Sequence, residues 1–484
     1  MRWSYADFDQ ITDTLADSFR QLGLGRGDRI VFLLPNCPEL VFCYYACFKL
    51  GAIAVPLNTR LQSAELEYIV NHCGARLCIS HASLFPALQA VRSHLPAVER
   101  YFLVGDGAAF PNLPPFSALL HPSPSHPAIS RSAAPSAPAV ILYTSGTTAR
   151  PKGVTHSHAS LESTAQYFIE TVGMQSEDVL GGMLPLSHIF GFALQLVVAV
   201  STGATLVLLS NFDPAIVLPI LEREWVTKLY GLPVMFNALV HDSAVTLYDL
   251  RALQVCFAGG DSVPEPLYQR VKELWGIELV QGCGMTEVLP YCINPPAANR
   301  MGSIGPVCSG MQLRLVDGQG QDVAVGEVGE VLVRSEAVML GYWNNPVATA
   351  EILRDGWLYT GDLARCDRDG YYWFVGRSKE IIIRGGSNIA PLEVEAVLYQ
   401  HPAVREAGVV GVPDPAWGEV VRAYVALKPG QSVTERELHS FLQERLAAYK
   451  VPEAIVFLPD LPKGLTGKIH RKTLREWAMQ PLAV

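Results

Sequence analysis

Hydroxyls, glycines and a lysine are packed into the run Tyr143-Thr-Ser-Gly-Thr-Thr-Ala-Arg-Pro-Lys-Gly-Val154, directly after the apolar stretch Ala139-Val-Ile-Leu142. The pattern predicts a buried strand that ends in a polar loop. Glycine lets backbone N–H groups approach an anion closely, and hydroxyls and an ammonium supply further donors. A loop of this composition can wrap the phosphates of a nucleotide. It is not a Walker loop, because the spacing G-x-x-x-x-G-K-[ST] is absent from it. The residues suited to the holding are Thr144, Ser145, Gly146, Thr147, Thr148 and Lys152.

Other chemically loaded segments follow in order. Pro185-Leu-Ser-His188-Ile-Phe-Gly191 carries a histidine among apolar residues, and Ala258-Gly259-Gly260-Asp261 is a glycine pair followed by an acid. Gly284-Met285-Thr286-Glu287 sets a hydroxyl beside a carboxylate. Then come Gly341-Tyr-Trp343, Asp355-Gly-Trp-Leu-Tyr-Thr-Gly-Asp362, Gly376-Arg377 and, near the C-terminus, Gly464-Leu-Thr-Gly-Lys468-Ile469. Together and in this order they resemble the motifs of the adenylate-forming superfamily, which includes acyl-CoA synthetases, luciferases and peptide-synthetase adenylation domains. Within it the chain is most similar to the AMP-dependent carboxylic acid:CoA ligases. The resemblance spans nearly the whole chain.

That resemblance implies a ligation in two steps. A carboxylate is a poor electrophile, because its leaving group would be oxide. Its attack on the α-phosphate of ATP gives acyl-AMP and releases pyrophosphate, with charge spread over the α-phosphate oxygens and the departing group. By resemblance, Thr144 to Lys152 hold the β- and γ-phosphates, Thr286 donates to the α-phosphate, and Glu287 binds Mg²⁺. Lys468 sets its ammonium between the carboxylate and the α-phosphate. Asp362 accepts from the ribose hydroxyls, and Arg377 donates to ribose or phosphate. Gly259, Gly260 and Asp261, with Cys283, Gly284 and Met285, form the adenine side. A thiol then attacks the acyl carbonyl. For this the family implies that a small C-terminal domain turns about a hinge residue, here Lys379, so that Lys468 leaves. Arg384-Gly385-Gly386 then line a thiol tunnel, His188 gates it from the acyl pocket, and Asn388 is a further cofactor-binding candidate.

Three positions depart from the family pattern. Cys283 stands where an aromatic usually stacks on adenine, Ala149 where the phosphate loop usually has Gly, and Gly464 where Thr is common. The start at Trp3-Ser4 also corresponds to a point some tens of residues into a typical member. Domains that load amino acids carry an aspartate for the α-amine after the histidine segment. Here His188-Ile-Phe-Gly-Phe192 contains no acid, and an unpaired ammonium would be poorly accommodated. Phe190, Phe192, Val234, Met235 and Phe236 predict an apolar pocket for a fatty or aromatic acid. The expected acceptor is coenzyme A; a carrier-protein phosphopantetheine presents the same thiol, and Lys450 and Arg471 are cations suited to either. Two alternatives stand beside this reading. One is an acyl-adenylate ligase that loads an acyl carrier protein. The other is a non-catalytic ATP-binding relative, which Cys283 and the short start favour and which Lys152, Glu287, Asp362, Arg377 and Lys468 oppose.

These side chains need a scaffold. With 484 residues, 49% hydrophobic and 17% charged, the chain can bury the cores of two or more domains. A net charge of −9 without a long basic run argues against a nucleic-acid partner. The ten cysteines include no C-x-x-C pair, and Cys43 and Cys47 lack companions for a zinc site. They read as small buried hydrophobes in a reducing compartment. No secretory signal is visible at the N-terminus. The apolar stretch Ile189 to Leu209 is interrupted by Gln195, Ser201, Thr202 and Gly203, which fits a buried helix and a buried strand better than a membrane span. The expectation is a cytoplasmic monomer or homodimer.

Ser4-Tyr-Ala-Asp7 has the form of a capping box, and Phe8, Ile11, Leu15, Phe19 and Leu22 follow at helical spacing. Strand 30–34, helix 39–50, strand 52–56, helix 65–72 and strand 77–80 then alternate, which predicts α/β layers with largely parallel strands. Pro111 to Pro138 reads as a surface linker, and Ser303 to Val333 as short strands of an antiparallel barrel or small sheet. Beyond Gly376-Arg-Ser-Lys379 the order is α, β, β, α, β over 393–399, 404–412, 420–427, 435–446 and 454–458. The predicted fold is α/β and multidomain. Residues 1–378 form a large N-terminal core of layered α/β sheets plus a small antiparallel barrel. Residues 379–484 form a small mobile α+β lid.

Overall fold

A computed structural model describes residues 1–121, 133–144, 150–464 and 468–479. The first sheet has seven strands, in the spatial order 341–342, 152–157, 138–144, 53–56, 29–33, 77–81, 100–104. Its five strands from 138–144 to 100–104 run parallel, and the last two toward 341–342 are antiparallel. A second sheet of six orders 288–293, 279–285, 255–258, 228–231, 179–182, 205–208, and only the pair 279–285 with 288–293 is antiparallel.

Helices fill the space between these sheets. The helix Tyr5–Gln21 begins on the expected box, with Ser4 and Asp7 bonding reciprocally, and buries Leu15, Ala16 and Phe19. Pro38–Leu50 is apolar nearly all round because it is covered on both sides; Tyr44 stacks on Phe192 at 4.4 Å, and Cys43 and Cys47 are fully buried. Each such large side chain contributes roughly 1.5–3 kcal/mol on burial. One continuous core joins these residues to Phe168 of helix His158–Val172 and to Tyr230 and Phe257 of the second sheet.

The stretch 189–209 is a buried helix, as expected, but its middle turn, Phe192–Val197, is a π-helix. Gln195 sits there fully buried, accepting from Leu184 N–H and donating to the Tyr230 carbonyl. The strand after it differs from expectation. Thr205–Leu208 is only half-buried, because it is the edge of its sheet.

Residues 312–377 form a five-stranded antiparallel sheet, with strand Trp357–Cys366 paired to Val328–Arg334, Leu353–Arg354 and Tyr372–Arg377. The C-terminal part has a sheet of its own with Val404–Asp414 against Gly418–Leu427, and Ala454–Phe457 added in parallel. Its hydrophobic clusters draw only on residues from Ile382 onward, and the larger clusters only on residues up to Phe374. The hairpin Ile382–Arg384/Ser387–Ile389 and the helix Arg471–Ala478 are two elements that apolar patterning did not predict. Among the described residues no helix is long and apolar enough to cross a membrane.

Candidate active site

A cleft of about 1680 Å³ runs between the large part and the C-terminal part. The end expected to hold phosphates is built at a strand pair. Thr144 closes strand Pro138–Thr144, Lys152 opens strand Lys152–Ser157, and the two are cross-strand partners. The loop between them therefore starts and ends at one point on the sheet edge. Ser145, Gly146, Thr147, Thr148 and Ala149 lie outside the described residues.

The Lys152 ammonium lies 4.7 Å from the centre of the Tyr342 ring, and the Tyr342 hydroxyl donates to Oε1 of Glu287 at 2.7 Å. One tyrosine thus joins the cation to the carboxylate. Burial pushes the Glu287 carboxyl above its ordinary range, with the Tyr342 hydrogen bond opposing. His156 Nε2 lies 2.7 Å from the Thr286 carbonyl, and its Nδ1 lies 3.1 Å from Ser160 Oγ. Burial lowers His156 to about 4, so the ring is neutral and Nε2 carries the proton given to Thr286. Neither Tyr342 nor His156 had a role in the sequence reading. Both stood next to motif residues, His156 four positions after Lys152 and Tyr342 inside Gly341-Tyr-Trp343, and that proximity was the available signal.

Asp362 and Arg377, the pair expected at the ribose, are cross-strand partners with 3.1 Å between Oδ1 and Nε. Asp362 is almost wholly buried and also accepts from Tyr291 at 2.9 Å. Its carboxyl is raised by desolvation, against the pull of Arg377 and Tyr291. Lys468 reaches this place from the C-terminal part. A methyl group placed on Gly260 would stand 3.6 Å from its Nζ. Burial lowers the Lys468 ammonium, while the charge of Asp261 opposes that shift and the charge of Arg377 adds to it. The backbone N–H of Gly464 donates to the Lys468 carbonyl at 2.8 Å, closing the loop that presents the lysine.

The part of the cleft expected to take the acid is apolar. Met183, Phe190, Leu194, Phe212, Val234 and Met235 line it, with His188 at its rim. The Nδ1 of His188 accepts from Phe190 N–H, and desolvation, aided by the Lys468 charge, takes the ring to about 4. Gly259 makes room for Phe190, since a methyl there would stand 3.2 Å from the ring.

Gly259, Gly260, Cys283, Gly284, Met285, Thr286, Glu287, Arg377, Lys379 and Lys468 all line the one cleft. Several expectations need correction. Phe192 and Phe236 are core residues, because neighbours two positions away on a helix point in different directions. Asp261 and Asp362 lie outside the lining; Asp362 sits behind its cross-strand partner Arg377, which does line it, and the charge of Asp261 faces Lys468 and Arg471. In this arrangement Gly385 and Gly386, in a hairpin turn, and Asn388, on the strand after it, are exposed and outside the cleft lining, and Gly385 packs under Trp417. Arg471 is tied to Glu395 at 2.6 Å and Lys450 to Glu393 at 2.5 Å, so both cations already have acidic partners.

Residues 1–343 match the family model described as AMP-binding enzyme, and residues 393–468 match its C-terminal domain. A feruloyl-CoA synthase of Amycolatopsis sp is 36% identical over 98% of this chain and 93% of its own length. A long-chain-fatty-acid–CoA ligase of Bacillus subtilis (strain 168) is 36% identical over 97% of this chain and 89% of its own. The crystal structure of an anthranilate CoA ligase with anthranoyl-AMP superposes with a TM-score of 0.92 at 33% identity, over 98% of this chain and 92% of the other. The chain belongs to the AMP-binding enzyme family, in its acyl-CoA synthetase branch. It is an acid–thiol ligase that uses ATP to activate a carboxylic acid as acyl-AMP and passes the acyl group to coenzyme A.

Proposed function

We propose that the acid is an aromatic or fatty one, seated against Phe190, Leu194 and Met235 with its carboxylate beside Lys468. The observation that carries this reading is the convergence of Lys468, Arg377, Thr286 and Glu287 on one cleft that is also lined by Met183, Phe190, Leu194, Phe212, Val234 and Met235. Lys468 offsets charge where the carboxylate meets the α-phosphate, and Thr286, with its backbone held by His156, donates to that phosphate. Thr144 and Lys152 hold the outer phosphates. Asp362 and Arg377 hold the ribose.

Among the described residues no three His, Cys, Asp or Glu side chains cluster as a metal cage. Mg²⁺ does not need one, since it commonly takes one or two carboxylates together with phosphate oxygens and water. Glu287, with Tyr342 fixing one of its oxygens, fits that donor set, and Mg²⁺ bound there would neutralise phosphate charge.

Residues 1–378 act as the core and 379–484 as a lid that turns at Lys379, in the short turn Ser378–Glu380. The separate cores on either side of that turn support a rigid-body motion. The turn would withdraw Lys468 and bring Gly385, Gly386 and Asn388 toward the thiol. The test is acid-dependent ATP–pyrophosphate exchange over aromatic, fatty and amino acids, followed by thioester formation with coenzyme A. Exchange confined to amino acids would defeat the acid assignment. Exchange without coenzyme A turnover would point to a carrier-protein thiol.

A further inference from the structure

Behind the ribose end lies a hydrogen-bonded file that the motifs do not contain. Tyr291, on strand Val288–Ile293, is fully buried, and its hydroxyl donates to Oδ2 of Asp362 at 2.9 Å. A carboxylate can only accept, so the phenolic proton is committed to it. The phenolic oxygen then accepts from Cys283, whose sulfur lies 2.9 Å away. The order is Cys283 S–H to Tyr291 O–H to Asp362. Cys283 belongs to the cleft lining and Tyr291 does not, so the file runs from the nucleotide side into the core and back to the carboxylate.

The two oxygens of Asp362 are not equivalent. Oδ2 is filled by Tyr291. Oδ1 is fully buried with Arg377 Nε at 3.1 Å, yet it has no aligned hydrogen-bond donor. Buried acceptors left in this way are rare and costly, and here the neighbours Gly361 and Arg377 line the cleft. We propose that Tyr291 is a positioning residue for the nucleotide: it fixes the plane of the Asp362 carboxylate and reserves Oδ1 for the ribose hydroxyls, while Cys283 fixes the rotor of the Tyr291 hydroxyl. Setting the acceptor before ATP arrives lowers the ordering cost of binding. It also gives Cys283 a task that an aromatic side chain could not perform, because a thiol hydrogen bond needs the hydroxyl in contact with it.

The inference rests on reading Asp362 as the ribose acceptor, and the experiment separates the two. Binding of ATP, 2′-deoxy-ATP and 3′-deoxy-ATP is measured by calorimetry on the full chain, as wild type and as Tyr291→Phe. The wild type is expected to bind ATP about tenfold or more tightly than the weaker deoxy analogue. In Tyr291→Phe that ratio should shrink roughly fivefold, through weaker ATP binding with little change for the analogue. A general packing defect would weaken all three nucleotides alike and leave the ratio unchanged, which overturns the inference. Absence of any ratio in the wild type overturns the ribose reading and the inference with it. Cys283→Ser and Cys283→Ala, which alter no core ring, give a second decision. Serine keeps the donor and should keep the ratio, and alanine should lower it by about twofold. Equal ratios in both would remove Cys283 and its hold on Tyr291 from the proposal.

Discussion

The two ends of the cleft are built on opposite principles. At the end proposed for the nucleotide three key groups are each positioned by another side chain: Tyr342 holds Glu287, His156 holds Thr286, and Tyr291 holds Asp362. At the acyl end the side chains are apolar, held by packing, and Phe190 keeps its place through the absence of a side chain on Gly259. Directional bonds fix atoms one at a time, so the end that meets a constant substrate is prewired. Packing fixes only volume and shape, so the end that meets the acid can be retuned by a few substitutions without disturbing the chemistry. The contrast fits a family whose members are named for different acids and for one acceptor, coenzyme A.

The comparison can be broken most sharply at Lys468, which serves both ends. Lys468→Ala should slow acyl-AMP formation from acid and ATP by about 10²–10³-fold, the scale of losing one donor at a developing charge. Thioester formation from supplied acyl-AMP and coenzyme A should be spared. Pyrophosphate release and thioester chromatography read the two steps, and equal loss of both would refute a lysine used in only one. Next in size, Asp362→Asn should weaken ATP binding about 10–100-fold, the range for a hydrogen bond to a charged group. The order of preference among acids should not change; if it does, the ends are not independent.

Gly259→Ala is the converse probe. The added methyl presses on Phe190, so kcat/KM for a bulky acid should fall about tenfold, as for a misfit of one methylene, with the KM for ATP unmoved. The smallest effect expected is a displaced pH profile. Glu287 and Asp362 both have carboxyls raised by burial, and each must be ionised to accept or to bind a cation. ATP binding should therefore fall as pH drops through a range above that of an ordinary carboxylate, near 4. His188, already lowered to about 4 and neutral, would not supply that limb. A profile of the ATP KM against pH checks this, and Glu287→Gln should remove part of the limb.

The same contrast explains what the sequence made legible. Lys468, Asp362, Arg377 and Glu287 sit in short fixed spacings and could be named, and strand–helix alternation predicted the α/β layers. The pairing of Asp362 with Arg377, fifteen positions apart, is a register of two strands and has no local signature. Tyr291 was invisible for the same reason. The acyl pocket was half right. Phe190, Val234 and Met235 line it, whereas Phe192 and Phe236 turn into the core, since successive helical residues rotate by about 100°. The hairpin 382–389 was missed because so short a ladder carries almost no periodicity. Arg471 and Lys450 looked available as charges, and only the fold reveals that Glu395 and Glu393 claim them.

Asp261 carries a consequence for the order of events. It is the acid whose charge acts most strongly on Lys468, and it comes from the large part of the molecule, whereas the lysine comes from the C-terminal part. An incoming substrate carboxylate must therefore win the ammonium from a rival that is already tethered nearby. Such internal rivalry weakens the grip on any free acid, yet it opposes the shift by which burial disfavours the charged ammonium. The protein thus trades affinity for readiness, and the trade could be reset at a single residue that lies outside the cleft lining.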